Sequence, residues 1–238
     1  MTSTLHLGDI EIEVIFKDIR NVHLAVYPPA GRVRIAAPRH MKLDTVRVFA
    51  LSKLSWIRKQ QAKLRAQERE TPREYVNRES HYVWGRRYLM KLVEKNEPAR
   101  VELLPRTLRL HVRPGTSLEQ RKNLLEAWYR QQLHMAATTL MATWQPRLGV
   151  KVTRLYVQQM KTRWGSCNPD RGTVRLNTEL AKKPPECMEY ILVHELVHLL
   201  EPSHNARFLA LMDRFMPNWR MLKDCLNQLP VRHEEWDY

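Results

Sequence analysis

The chain has 238 residues, with 40 Lys+Arg against 25 Asp+Glu and a formal net charge of +15 at pH 7. This length can bury a substantial core as one large domain or two small ones, and no apolar run is long enough for a membrane-spanning helix. The charge suits a polyanionic partner such as nucleic acid or a nucleotide, or else a solvated basic surface without a specific partner. Met1–Ile10 lacks the basic start and apolar core of a secretion signal, and Cys167, Cys187 and Cys225 form no CxxC pair, so free thiols and a cytoplasmic location are expected.

In chain order, residues 10–37 alternate apolar and polar side chains (Ile10, Ile12, Val14, Phe16, then Val22, Leu24, Val26, then Val33, Ile35), which predicts a β-meander. Residues 42–70 switch to helical spacing, with Val46, Phe49, Ala50, Ile57 and Leu64 on one face. A second β-rich stretch runs from Tyr82 to Val112, with Gly85 between strand-like segments and Pro114-Gly115 at its end. Ser117 with Gln120 forms a capping box for a long helix to about Trp144, whose stripe is Leu125, Tyr129, Leu133, Ala136 and Leu140. Val150–Met160 and Thr173–Thr178 read as strands on either side of a turn from Trp164 to Gly172. The expected class is α+β, with a β-rich region carrying one helix over 1–115 and a metal-bearing part with a small antiparallel sheet over 116–238.

That second part holds the segment His194-Glu195-Leu196-Val197-His198, followed by His204. It lies on a helix that opens with Pro184-Pro185 and is covered by Met188, Ile191, Leu192, Leu196 and Leu199. Residues four apart share a helix face, so His194 and His198 can grip one cation. Glu195 stands beside that face, where it can take a proton from water activated by the cation. Catalytic zinc takes three protein ligands and keeps one position open, and His204 is the candidate third. Glu201-Pro202 ends the helix, and Ser203 is the expected cap of a second one carrying Phe208, Leu211, Met212 and Phe215, closed by Pro217. The alternative is two core histidines with a surface His204.

Lys161-Thr162-Arg163-Trp164-Gly165-Ser166-Cys167 joins the two strands just before this helix. It is either a plain turn around a buried tryptophan or a substrate-facing segment with Cys167 near the metal. Arg163, Trp164, Ser166 and Asn177 are the candidate substrate-binding residues. The strand Gly172–Asn177 would accept an extended peptide as an added strand if its edge is open, and would be a plain interior strand otherwise. Cys187 lies seven residues before His194, about 10 Å along the helix axis, too far to share a cation. Cys225 is expected in the core.

The ordered set Arg163-Trp164-Gly165-Ser166-Cys167, Arg175-Leu176-Asn177, His194-Glu195-Leu196-Val197-His198, His204 with Phe208, and Pro217 resembles the YgjP-like family of minimal zinc metallopeptidases. That family is distantly similar to the SprT-like and spartan proteases. The resemblance implies a zincin-like catalytic domain over 116–238, with His194, His198 and His204 as Zn2+ ligands and Glu195 as the catalytic carboxylate. The histidine spacing equals that of metzincins, but Glu201 stands where those carry Gly.

The leading functional expectation is therefore a zinc-dependent peptidase acting on protein or peptide. One alternative is a metal-dependent hydrolase of phosphoanhydrides such as nucleoside triphosphates, although only seven glycines are present and no Gly-rich phosphate loop is found. Another is a DNA-associated metalloprotein, whose affinity would fall steeply with salt.

Overall fold

A computed structural model describes residues 2–27, 31–66, 73–160 and 163–229. Contacts divide the chain into two compact units, separating at Pro72–Arg73.

In the first unit, β1 (Thr2–Leu7), β2 (Ile10–Lys17), β3 (His23–Tyr27) and β4 (Arg32–Pro38) form one sheet in the order β1-β2-β4-β3. The predicted alternation is present, with Ile12, Val14, Val33 and Ile35 fully buried. The meander is not: β4 inserts between β2 and β3 and runs parallel to β2, pairing Val14 with Ile35. Alternation fixes which face of a strand is buried, but not its neighbour. The expected single helix is two, α1 (Leu43–Ser52) and α2 (Leu54–Ala66), broken at Lys53, whose N–H bonds back to Ala50 O at 3.1 Å. Val46, Ala50 and Ile57 from these helices complete a core with Leu5, Ile12 and Ile35. The end of the predicted helix, 67–70, lies outside the described residues.

The second unit begins with β5 (Ser80–Val83), β6 (Arg86–Glu94), β7 (Arg100–Leu103) and β8 (Thr107–Val112), in the order β5-β6-β8-β7 with a parallel β6–β8 pair. The topology of the first sheet thus recurs without a recognisable sequence repeat. Then come α3 (Leu118–Leu148), β9 (Arg154–Gln158), β10 (Gly165–Asn168), β11 (Thr173–Asn177), a 3-10 turn (Thr178–Lys182), α4 (Pro185–Val197), α5 (Ala206–Phe215) and α6 (Trp219–Gln228). The capping box forms as read, with Ser117 Oγ accepting from Gln120 N and Gln120 Oε1 accepting from Ser117 N. Helix α3 continues past the expected end at Trp144, holds Pro146 in its last turn, and stops at Gly149 in the left-handed conformation that glycine adopts without steric cost.

The expected division near 115 falls inside this second unit. Met90, Leu108 and Leu110 of the β5–β8 sheet share one core with Leu125 and Leu133 of α3 and with Leu192 and Leu196 of α4. Burying such side chains stabilises by about 1.5–3 kcal/mol each. Tyr129 Oη donates to Tyr82 O at 2.8 Å, tying α3 to the sheet, and Trp144 Nε1 donates to Glu189 at 2.8 Å, tying α3 to α4. The Trp84-Gly85 turn donates to Ala181 O and Lys182 O just ahead of α4. Gly85, at φ +76°, lies so close to Pro184 that a Cβ there would come within 3.0 Å of its ring.

The three-stranded sheet has the order β10-β11-β9 and is mixed: β11 is antiparallel to β10 and parallel to β9. This corrects the expected antiparallel sheet, and of the two readings of Gly172–Asn177 the interior strand holds, because β11 is central. Half of the presumed turn from Trp164 to Gly172 is the edge strand β10.

Among the described residues, no helix is long and apolar enough to cross a membrane.

Candidate active site

Helix α4 is buried almost all round, and that burial sets the chemistry of its polar groups. Pro185 stands at its first turn, Cys187, Met188, Leu192, Val193 and Leu196 pack into the core, and His198 caps its end. His194 and His198, one turn apart, are half-buried, while Glu195 is only 5 % exposed.

His204 arrives from the turn after α4, and the three imidazoles converge with ligating atoms within 4.8 Å of one another. Their ring centroids are 4.6–5.0 Å apart, and Phe208 packs 4.7–4.9 Å from all three as an apolar floor. His204 lies in the loop before α5. The cap of that helix is Asn205, not Ser203: Asn205 Oδ1 accepts from Phe208 N at 3.0 Å. Ser203 instead donates to the Glu201 carboxylate at 2.9 Å.

The nitrogen pattern fits a shared cation. Glu201 O lies 3.0 Å from His198 Nδ1; a carbonyl can only accept, so Nδ1 is the donor and Nε2 is the nitrogen left to face a cation. Nε2 of His204 and Nε2 of His194 face each other at 3.0 Å. His194 Nδ1 is buried without a hydrogen-bond partner among the described residues. Burial, with His198 and His204 nearby, pushes the His194 pKa down to about 3, so its imidazole is neutral across the working range, as ligation requires. Burial and His198 also lower the pKa of His204.

Glu195 is shifted the other way. Burial raises its pKa to about 8, partly opposed by Arg163. Burial, then the neighbouring Glu195, raises Cys167 to about 11; burial raises Tyr190 to about 12, with Glu195 and Asp224 adding to it. Both groups are thus protonated at neutral pH.

A cleft of about 450 Å³ opens over this cluster, lined by Arg163, Trp164, Gly165, Ser166 and Cys167 on one side and by Tyr190, Ile191 and Pro202 on the other, together with the three histidines and Glu195. Arg163, Trp164 and Ser166 are therefore at the cleft. Asn177 is not among its lining residues. Buried at 5 % exposure, Asn177 uses its amide on the backbone around the cleft, donating to Met160 O at 2.8 Å and Arg163 O at 2.9 Å and accepting from Glu179 N at 3.2 Å. Cys187 is buried away from the cleft-lining set, and Cys225 is exposed, not core.

Sequence reasoning passed over Tyr190, whose ring meets that of His194 at 6.0 Å and stacks on Trp219 at 6.5 Å. Its position one turn before His194 was the available signal. The floor role of Phe208 had no such signal, because apolar spacing on α5 marks burial and not what is buried against it.

The model of the YgjP-like metallopeptidase domain matches residues 20–229. Among solved structures, the chain is similar to the metallopeptidase zymogen abylysin of Pyrococcus abyssi, at 22% identity over 38% of this chain and 90% of that one, with a TM-score of 0.36. It is also similar to the metallopeptidase zymogen jannalysin of Methanocaldococcus jannaschii, at 19% identity over 40% of this chain and 94% of that one, with a TM-score of 0.34. No curated protein matches. With a family match running from the first sheet to the end of α6, the chain belongs to the YgjP-like metallopeptidase family.

Proposed function

We propose that the protein is a zinc-dependent peptidase in which His194, His198 and His204 hold the cation and Glu195 is the general base. The observation that carries this reading is the convergence of three imidazoles beside a buried carboxyl group in one cleft. Zinc held by three imidazoles supplies Lewis acidity toward a scissile carbonyl and acidifies water. Glu195 takes the proton of the attacking water and delivers it to the departing amine. Arg163 and Tyr190 line the cleft and are donors available to a developing oxyanion.

The substrate on this reading is an extended polypeptide. Among the described residues β10 pairs only with β11, so its other edge offers backbone groups to an added strand. Trp164, Pro169, Ile191 and Pro202 give apolar walls for its side chains. The strand-addition role considered for Gly172–Asn177 thus falls to β10 on this reading.

The test is release of new amino termini from an unfolded protein by the zinc-loaded enzyme, with Glu195→Gln beside it. Gln cannot accept the proton, so turnover should fall about 100- to 10,000-fold with zinc retained. Equal cleavage by the two proteins would remove Glu195 from the base role.

A further inference from the structure

Gly165 is unlike the other glycines of this chain. Of the seven, six have positive φ, where L side chains are strained; Gly165 alone has ordinary backbone geometry that any residue could adopt. Glycine is therefore not required there by the local chain, and the reason must lie in what faces it.

What faces it is Glu195. A Cβ built on Gly165 would sit 2.6 Å from Glu195 Oε1, 2.8 Å from Cγ and 3.0 Å from Cδ, and no other atom is as near. Ordinary contact needs roughly 1 Å more than the shortest of these. Strand β10 holds Gly165 in place by its antiparallel pairing with Leu176, and α4 holds Glu195 within the core. All three of the nearest atoms belong to the Glu195 side chain, so an added carbon falls on the carboxylate first.

We infer that Gly165 is a positioning residue, whose bare Cα on the edge strand forms the stop against which the Glu195 carboxylate is set. The inference rests on the proposed role of Glu195 as base. The strand that would receive the peptide and the acid that would act on it are then gauged against each other by direct contact. A base displaced by 1 Å is poorly aligned with its water, which costs about 100-fold in rate.

The test is a size-compensating cycle in the zinc-loaded protein. Gly165→Ala should lower kcat about 100-fold with bound zinc unchanged, since no histidine is touched. Glu195→Asp shortens the acid by one carbon and should make room for the new methyl. In the Gly165→Ala background it should then raise Tm and cost little further kcat, whereas in the wild-type background it should lower kcat. If Gly165→Ala fails to fold but the double variant folds, the contact is supported. Wild-type kcat in Gly165→Ala, additive effects of the two substitutions on Tm, or failure of both variants to fold would each overturn the inference. The Tm cycle reads the contact irrespective of turnover. Loss of the base role alone would instead appear as an active Glu195→Gln variant with the Tm coupling intact.

Discussion

The opposed shifts of Glu195 and His194 give the metal-free protein an unusual dependence of stability on pH. Glu195 has a folded pKa of about 8 against an ordinary value of 4.5, so between these limits the folded state keeps a proton that the unfolded chain has lost. Its contribution therefore falls as pH rises through that window. His194 has a folded pKa of about 3 against 6.5, so there the unfolded chain holds the extra proton and stability rises with pH from 3 to 6.5. The slopes of these two groups cancel between 4.5 and 6.5, where the lowered pKa of His204 adds a further rise, and above 6.5 only the fall from Glu195 remains. At about 1.36 kcal/mol per unit, the uncompensated fall from pH 6.5 to 8 is about 2 kcal/mol, or roughly 4–8 °C in Tm for a unit of this size. In Glu195→Gln the falling limb disappears, and the rise continues up to pH 6.5 because His194 is no longer offset. The assay is thermal melting by circular dichroism from pH 4 to 9 in the presence of a chelator. A Gln variant whose Tm tracks that of the wild type at every pH would refute the assignment of the buried proton to Glu195.

His204 is exposed, so His204→Ala should leave metal-free stability within about 0.5 kcal/mol while weakening zinc binding by more than about 100-fold, read by competition with a chromophoric chelator. Phe208→Ala removes the floor beneath all three imidazoles and should cost about 3–5 kcal/mol in urea unfolding; a loss below 1 kcal/mol would mean the rings do not depend on it. Gly85→Ala adds a methyl at φ +76° against Pro184 and should destabilise by at least about 1–2 kcal/mol, and an unchanged Tm would show that the turn does not brace the start of α4.

Features read from local geometry survived best. The His194–His198 spacing is a property of a single helix, and the Ser117–Gln120 box of a single helix start, so neither needs tertiary knowledge. Strand β10 escaped because Gly165-Ser166-Cys167-Asn168 contains no strong strand former and owes its conformation to pairing with β11. The division near 115 misplaced β5–β8 because Pro114-Gly115 marks a turn as well as it marks a linker; only the shared packing of Leu108 and Leu110 with Leu125 distinguishes the two. The alternating runs of 10–37 specify buried faces, and the parallel β2–β4 pairing depends on where β3 goes. Asn205 outcompeted Ser203 as cap because Ser203 is engaged by Glu201.

An unpaired strand edge on a protein is also an invitation to other copies of itself, since the backbone groups that would receive a peptide can equally zip into a neighbour's sheet. Strand β10 is poorly suited to that fate: it is four residues long, begins with glycine, and carries serine and asparagine where an aggregating edge would carry valine or isoleucine. The weak strand character that concealed it in the sequence thus serves as protection, leaving an edge open to transient guests and unattractive to permanent ones.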